Sequence, residues 1–167
     1  MATFNSDAAA ANNPAKSGIR DSVKVPFSVT IPVGTTLAAS DKINLIKVSP
    51  GHRVVGYYLE SGAALDPANS ITTSLGYTVG GVDFSTAFTG TTNFGRTANV
   101  NNVMTEKGTR TGGSGGGAAV AQTYTAAAIP SPEFSREGVV TLFVVAGSSG
   151  ALTAAGSING YVEVQPA

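Results

Sequence analysis

The chain contains no cysteine and no tryptophan, and its one histidine is His52. Without cysteine there are no disulfide staples, no thiolate metal sites and no cysteine nucleophile. A single imidazole cannot build a multi-histidine metal centre and leaves one candidate for any Ser-His-acid arrangement. Charge is scarce as well. Ten Lys plus Arg balance ten Asp plus Glu, and charged residues make up 12% of the 167, against ~25% in an ordinary soluble domain. Binding nucleic acid through its phosphates needs a basic excess, so no nucleic-acid partner is expected. No stretch approaches the ~18 apolar residues of a membrane span. The opening Met1 to Asp7 lacks the positive region of a signal peptide, and the run Ala8 to Ala11 is too short for its apolar region. No membrane partner is expected.

Glycine and proline are plentiful instead, 21 and 8 residues, so the chain turns often. Its apolar residues are mainly Val, Ala, Ile and Leu, which together with frequent turns read as all-β. The length suits one domain with a full core. Residues 1–20 carry no sustained period and read as an N-terminal arm, which needs its own domain or a neighbouring subunit to order it. Residues 21–167 read as a single β-sandwich domain.

From Val23 the pattern is sharp. Val23, Val25, Phe27, Val29, Ile31 and Val33 take the odd positions, and Lys24, Pro26, Ser28, Thr30 and Pro32 the even ones, as in a half-buried strand. The two prolines place it at an edge, or turn those positions away from a partner. Ile43 to Val48 forms a second strand, and Ser49-Pro50-Gly51 a tight turn. Arg53 to Glu60 is apolar on both faces, which predicts a strand covered on both sides. Ile71, Thr73, Leu75, Tyr77 and Val79 alternate again before Gly80-Gly81. The segment Asp83 to Phe88 fits a short helical turn, with Phe84 and Phe88 on one face. Residues 91–128 form a loop-rich excursion around a Gly-rich stretch at 112–117, with strands expected near 99–104 and 120–125. Val139 to Val145 is a buried strand. Asn159-Gly160 is either a hairpin turn or a weak spot inside one last strand. The expected architecture is a β-sandwich of jelly-roll type.

Chemistry is sparse. Gly113 to Ala118 matches G-x-G-x-x-A, but no buried strand precedes it and no βαβ context follows, so no nucleotide cofactor is expected. His52 follows a turn and has no carboxylate neighbour in sequence to orient it. Glu60, Asp66 and Asp83 would make a calcium site or a glycosidase pair only if the fold brought them together. Glu133, Arg136 and Glu137 read as a solvated turn. Tyr57, Tyr58 and Tyr77 would form a sugar-stacking platform if all three faced outward. No catalytic, cofactor or metal residue is assigned, and an enzyme is not expected.

The run from Val25 to Val48, with Thr30-Ile31-Pro32, Gly34-Thr35, Leu37-Ala38-Ala39, Asp41 and Ile43, is followed by Pro50-Gly51-His52-Arg53-Val54 and later by Leu75-Gly76-Tyr77. This resembles the capsid decoration, or cement, proteins of tailed double-stranded DNA bacteriophages over residues 23–90. The resemblance implies a structural virion protein, made in the host cytoplasm, that sits on the outer surface of the capsid and ties major capsid protein subunits together. It also implies a homotrimer or homodimer. Expected arm anchors are Phe4, Ile19 and Arg20; expected loop contacts are Phe84, Phe88 and Arg110. The competing reading is a receptor- or glycan-binding module of a phage tail or surface appendage.

Overall fold

The computed structural model describes residues 1–10, 21–61, 65–66, 70–96, 102–105, 108–111, 120–121 and 133–167. Its elements are β1 (Thr3–Asn5), α1 (Asp7–Ala10), β2 (Val23–Ile31), β3 (Lys42–Val48), β4 (His52–Ser61), β5 (Thr72–Val79), β6 (Val82–Phe84), β7 (Asn102–Thr105), β8 (Gly108–Thr111), β9 (Val120–Ala121), β10 (Gly138–Ala146) and β11 (Gly156–Pro166). A five-stranded sheet runs β1-β3-β10-β5-β6, and a six-stranded sheet runs β2-β11-β4-β7-β8-β9. The first long strand lies beside the last, and the second beside the next to last. That nested pairing is the jelly roll expected from the sequence.

Alternation in the sequence becomes the two faces of each sheet. Phe27, Val29 and Ile31 of β2, Ile43 of β3, Leu75 of β5, Val140, Leu142 and Val144 of β10, and Ile158, Val162 and Val164 of β11 all point into one buried cluster between the sheets. Each such side chain contributes ~1.5–3 kcal/mol relative to exposure. β10 is central in its sheet, with β3 on one side and β5 on the other. β11 runs unbroken from Gly156 to Pro166 with Asn159 and Gly160 both in register. The Asn-Gly pair is therefore interior strand, and the hairpin alternative falls.

Two sequence expectations are corrected. β4 is not covered on both sides. Glu163 pairs with Gly56 but Val164 with Val54, so Val55 is the extra residue of a bulge. The bulge flips the phase of the strand, sending Val54, then Tyr57 and Leu59, into the core and Tyr58 outward. Two half-strands of opposite phase read as one strand apolar on both faces. The helical turn at 83–88 is likewise absent. Gly80 and Gly81, at φ 58° and 81°, close a two-residue turn with both central residues left-handed. That turn pairs Val79 with Val82 and Tyr77 with Phe84, drawing Val82–Phe84 into strand β6. The expected strands in the excursion are found as β7 and β9, and β8 lies between them in the sheet.

β2 is the long edge of its sheet, and its edge is blunted. Pro26 has no N–H to offer, and the N–H of Ser28, which points to the same open side, donates to Asp7 Oδ1 at 2.9 Å. Asp7 belongs to the first ten residues, which fold back on their own domain. β1 pairs in parallel with β3, Phe4 opposite Ile43. Lys42 N–H donates to Ala2 O and Ser6 N–H to Asn44 O, both at 2.9 Å. The Ser6 hydroxyl donates to the Leu45 carbonyl and accepts from Ala9 N–H at 2.9 Å, capping α1. Phe4 and Ala8 pack against the core. Residues 1–10 thus close the open side of the sandwich between β3 and β2. Ile19 and Arg20 lie outside the described residues.

Candidate interaction surface

The β5–β6 hairpin carries two exposed large apolar side chains, Val82 and Phe84, and Phe84 stacks on Tyr77, which packs against the core. Val82 is 56% and Phe84 43% exposed. Phe84 is the outer end of an aromatic column: its ring lies 4.8 Å from Tyr77, which in turn lies 5.6 Å from Phe88 and 5.0 Å from Phe134. Phe88 and Phe134 are buried, at 1% and 3% exposure. Burial also pushes the Tyr77 hydroxyl above its ordinary value. The hairpin is seated by backbone: a Cβ on Gly76 would land on the Phe84 carbonyl oxygen, so only glycine lets the chain after β6 cross so close to β5.

A polar rim surrounds this apolar spot. Lys42 of β3 reaches across Phe143, 5.7 Å from its ring centre, and pairs with Asp83 at 2.6 Å. Thr78 donates to the same carboxylate at 2.7 Å. Partial burial raises the Asp83 carboxyl, but the hydrogen bonds from Lys42 and Thr78 and the Lys42 charge outweigh it and hold the group below its ordinary 3.8. Arg136 is exposed next to the hairpin turn, its guanidinium 3.9 Å from where a Gly80 Cβ would sit. An aromatic anchor fixed from below, a β-branched neighbour and a charged rim form the anatomy of a protein–protein hot spot.

Of the residues singled out from sequence, Phe84 is on this surface. Phe88, expected as a loop contact, is a core residue: its backbone N–H donates to Leu75 O and its ring faces Tyr57 at 6.0 Å. Phe4 is half-buried on β1. Arg110 lies on β8, paired with Val103 and Ala121. Glu133, Arg136 and Glu137 are exposed before β10. The Gly-rich segment at 112–117 lies outside the described residues. Sequence reading passed over Val82 and Lys42. The signal for Val82 was present in Val79-Gly80-Gly81-Val82, a hairpin pattern read only as the end of a strand.

The other constellations come apart. Asp66 is fully buried and accepts from Ile71 N–H at 2.6 Å and from the Ser70 hydroxyl at 2.8 Å, shaping a loop. Glu60 accepts from Tyr58 at 3.1 Å on the six-stranded sheet, while Asp83 sits on the five-stranded one. Among the described residues no group of three or more His, Cys, Asp or Glu is placed to hold a metal ion, and no helix is long and apolar enough to cross a membrane. His52 Nδ1 lies 3.1 Å from Pro50 O. Nor do the tyrosines form a platform. Tyr57 is buried, and Tyr77 is under Phe84. Tyr58 stacks on Tyr161 across the strands at 5.8 Å and 14°, and Lys24, from the strand on the other side of β11, lies 4.6 Å from the Tyr161 ring centre.

No family model and no curated protein matches the chain. Two solved structures share its fold over essentially its whole length. A chain from the capsid of Ralstonia phage GP4 is 18% identical with a TM-score of 0.60, covering 99% of each chain. A chain from the capsid asymmetric unit of cyanophage Pam1 is 15% identical with a TM-score of 0.52, covering 93% of this chain and 92% of that one. At these identities the likeness is one of fold: this jelly roll, end to end, is similar to chains found in two phage capsids.

Proposed function

We propose that the chain is a structural virion protein that binds the outer surface of a phage capsid and stabilises contacts between major capsid protein subunits. The observation that carries this reading is the fold likeness to chains of two phage capsids over almost the full length of all three. The sparse charge and the exposed aromatic anchor at the β5–β6 hairpin agree with a protein whose work is burial of surface rather than chemistry. In this reading Val82 and Phe84 insert into an apolar recess on the capsid, and Lys42, Asp83 and Arg136 form the rim of the contact.

Co-sedimentation of the purified protein with undecorated capsids, followed by a heat ramp that reports shell breakage, tests the proposal. Saturable binding with a raised breakage temperature is the expected result. Absence of binding at large protein excess overturns it.

A further inference from the structure

Two edge strands of the sandwich differ in how they are protected. On β2 the open side is guarded, by the missing donor of Pro26 and by Asp7 on the Ser28 N–H. β6 ends the five-stranded sheet and pairs with β5. Gly80 and Gly81 close a two-residue turn, so Val79 and Val82 exchange both of their backbone hydrogen bonds, and Tyr77 and Phe84 do the same. Thr78 and Asp83, between those pairs, face each other without exchanging bonds. Leu75 and Thr73 keep the same alternation: Leu75 O accepts from Phe88 N–H at 3.0 Å, and Thr73 exchanges bonds with Thr92. The N–H and C=O of Asp83 therefore point away from β5, and no described residue bonds to them.

The usual guards are missing from this edge. Val82 to Phe84 contains no proline, and its one charged side chain, Asp83, is drawn onto Lys42 and Thr78. Val82 and Phe84 flank the open groups at 56% and 43% exposure. Three residues are too few to template aggregation. One donor and one acceptor between two exposed apolar side chains are enough to seat a short extended segment.

We propose that β6 accepts an extended segment of the major capsid protein by strand addition, through two backbone hydrogen bonds at Asp83. The proposal rests on the capsid-binding reading above and specifies how that contact is made. The segment alternates faces as β6 does, so its residues beside Val82 and Phe84 are apolar and the one between them is polar. Charge defines its end. Lys42 and Asp83 form the one ion pair among the described residues. Arg136 stands exposed beside the turn, with its guanidinium near Gly80, and Glu133 and Glu137 of the same loop form no ion pair with it. A carboxylate on the segment just past Val82 complements Arg136.

Asp83→Pro against Asp83→Ala is the test, read as affinity for undecorated capsids. Both variants lose the carboxylate, but only proline removes the outward N–H. That N–H makes no bond to β5, so the hairpin ladder is kept. Asp83→Pro is expected to bind at least about tenfold more weakly than Asp83→Ala, because it leaves a carbonyl of the segment unpaired in the contact. Amide exchange in the wild type is a second measurement that needs no variant. The Asp83 N–H is expected to exchange fast in the isolated protein and slowly on capsids. Equal binding by the two folded variants overturns strand addition, and so does an Asp83 amide that stays fast in the bound protein. Either result leaves capsid binding itself intact, since co-sedimentation of the wild type decides that separately. A wild type that fails to bind capsids overturns both.

Discussion

Truncating Phe84 to alanine separates two quantities that a core aromatic mixes. The side chain is 43% exposed, so a little over half of its ~200 Å² is already covered by Tyr77 and its surroundings. Removing that covered part, beyond what alanine retains, costs about 2 kcal/mol of folding stability at ~25 cal/mol per Å². The remaining ~90 Å² is free to be buried on docking. At the same coefficient it is worth about 2 kcal/mol, or roughly a 30-fold rise in Kd for undecorated capsids. Phe88→Ala is the matched control. At 1% exposure it costs ~3–5 kcal/mol of stability but removes no docking surface. Chemical denaturation gives the first quantity for both variants, and quantitative capsid binding at a temperature where both are folded gives the second. Phe84→Ala binding with wild-type affinity while folded refutes the assignment of the hairpin as the contact.

Three further outcomes follow from the geometry. A Cβ on Gly160 would land on the Tyr58 carbonyl oxygen, whereas one on Gly56 meets the flexible end of Glu163 at 3.2 Å; Gly160→Ala is expected to lose more than about 3 kcal/mol in urea unfolding, and Gly56→Ala less than about 1. Ser6→Ala removes the cap of α1 and a buried hydroxyl contact to Leu45, and is expected to cost about 1–2 kcal/mol, with hydrogen exchange over residues 2–10 speeding up ahead of the rest. The Asp83 carboxyl is held below its ordinary 3.8, so its contribution is present above that value and is lost as pH falls through the lower, folded one. Both partners are partly exposed, which limits the pair to under ~1 kcal/mol. The stability difference between wild type and Lys42→Met is therefore expected to change by less than about 1 kcal/mol as pH falls from 7 through the folded value; a difference that does not change with pH contradicts the ion pair.

Period-2 alternation made β2 and β5 legible because each keeps one phase along its length, with one face against the other sheet, whereas an unbroken apolar run marked β10. β4 was misread for the same physical reason. A bulge at Val55 adds one residue and shifts the phase, and its marker in the sequence is Gly56, the glycine beside it inside an otherwise apolar run. Pro26 told more than its position suggested. Its missing donor is tolerated because that side of β2 has no partner strand, and Asp7 covers the next outward N–H. Nothing local in residues 1–10 announces β1, since a three-residue strand paired in parallel with β3 depends wholly on long-range contacts.

The interaction surface was half legible for a related reason. An aromatic residue in a turn-rich segment is a fair candidate for contact, and in sequence Phe84 and Phe88 qualify equally. The hairpin turn at Gly80-Gly81 decides between them. By making residues 82–84 a strand, it puts Phe84 across from Tyr77 and leaves Phe88 to follow the crossing over Gly76 into the core. One ring becomes the surface end of the aromatic column and the other its buried support. A glycine pair with both φ values positive thus sorts a core residue from a contact residue four positions away, and its effect becomes visible only once strand register is known.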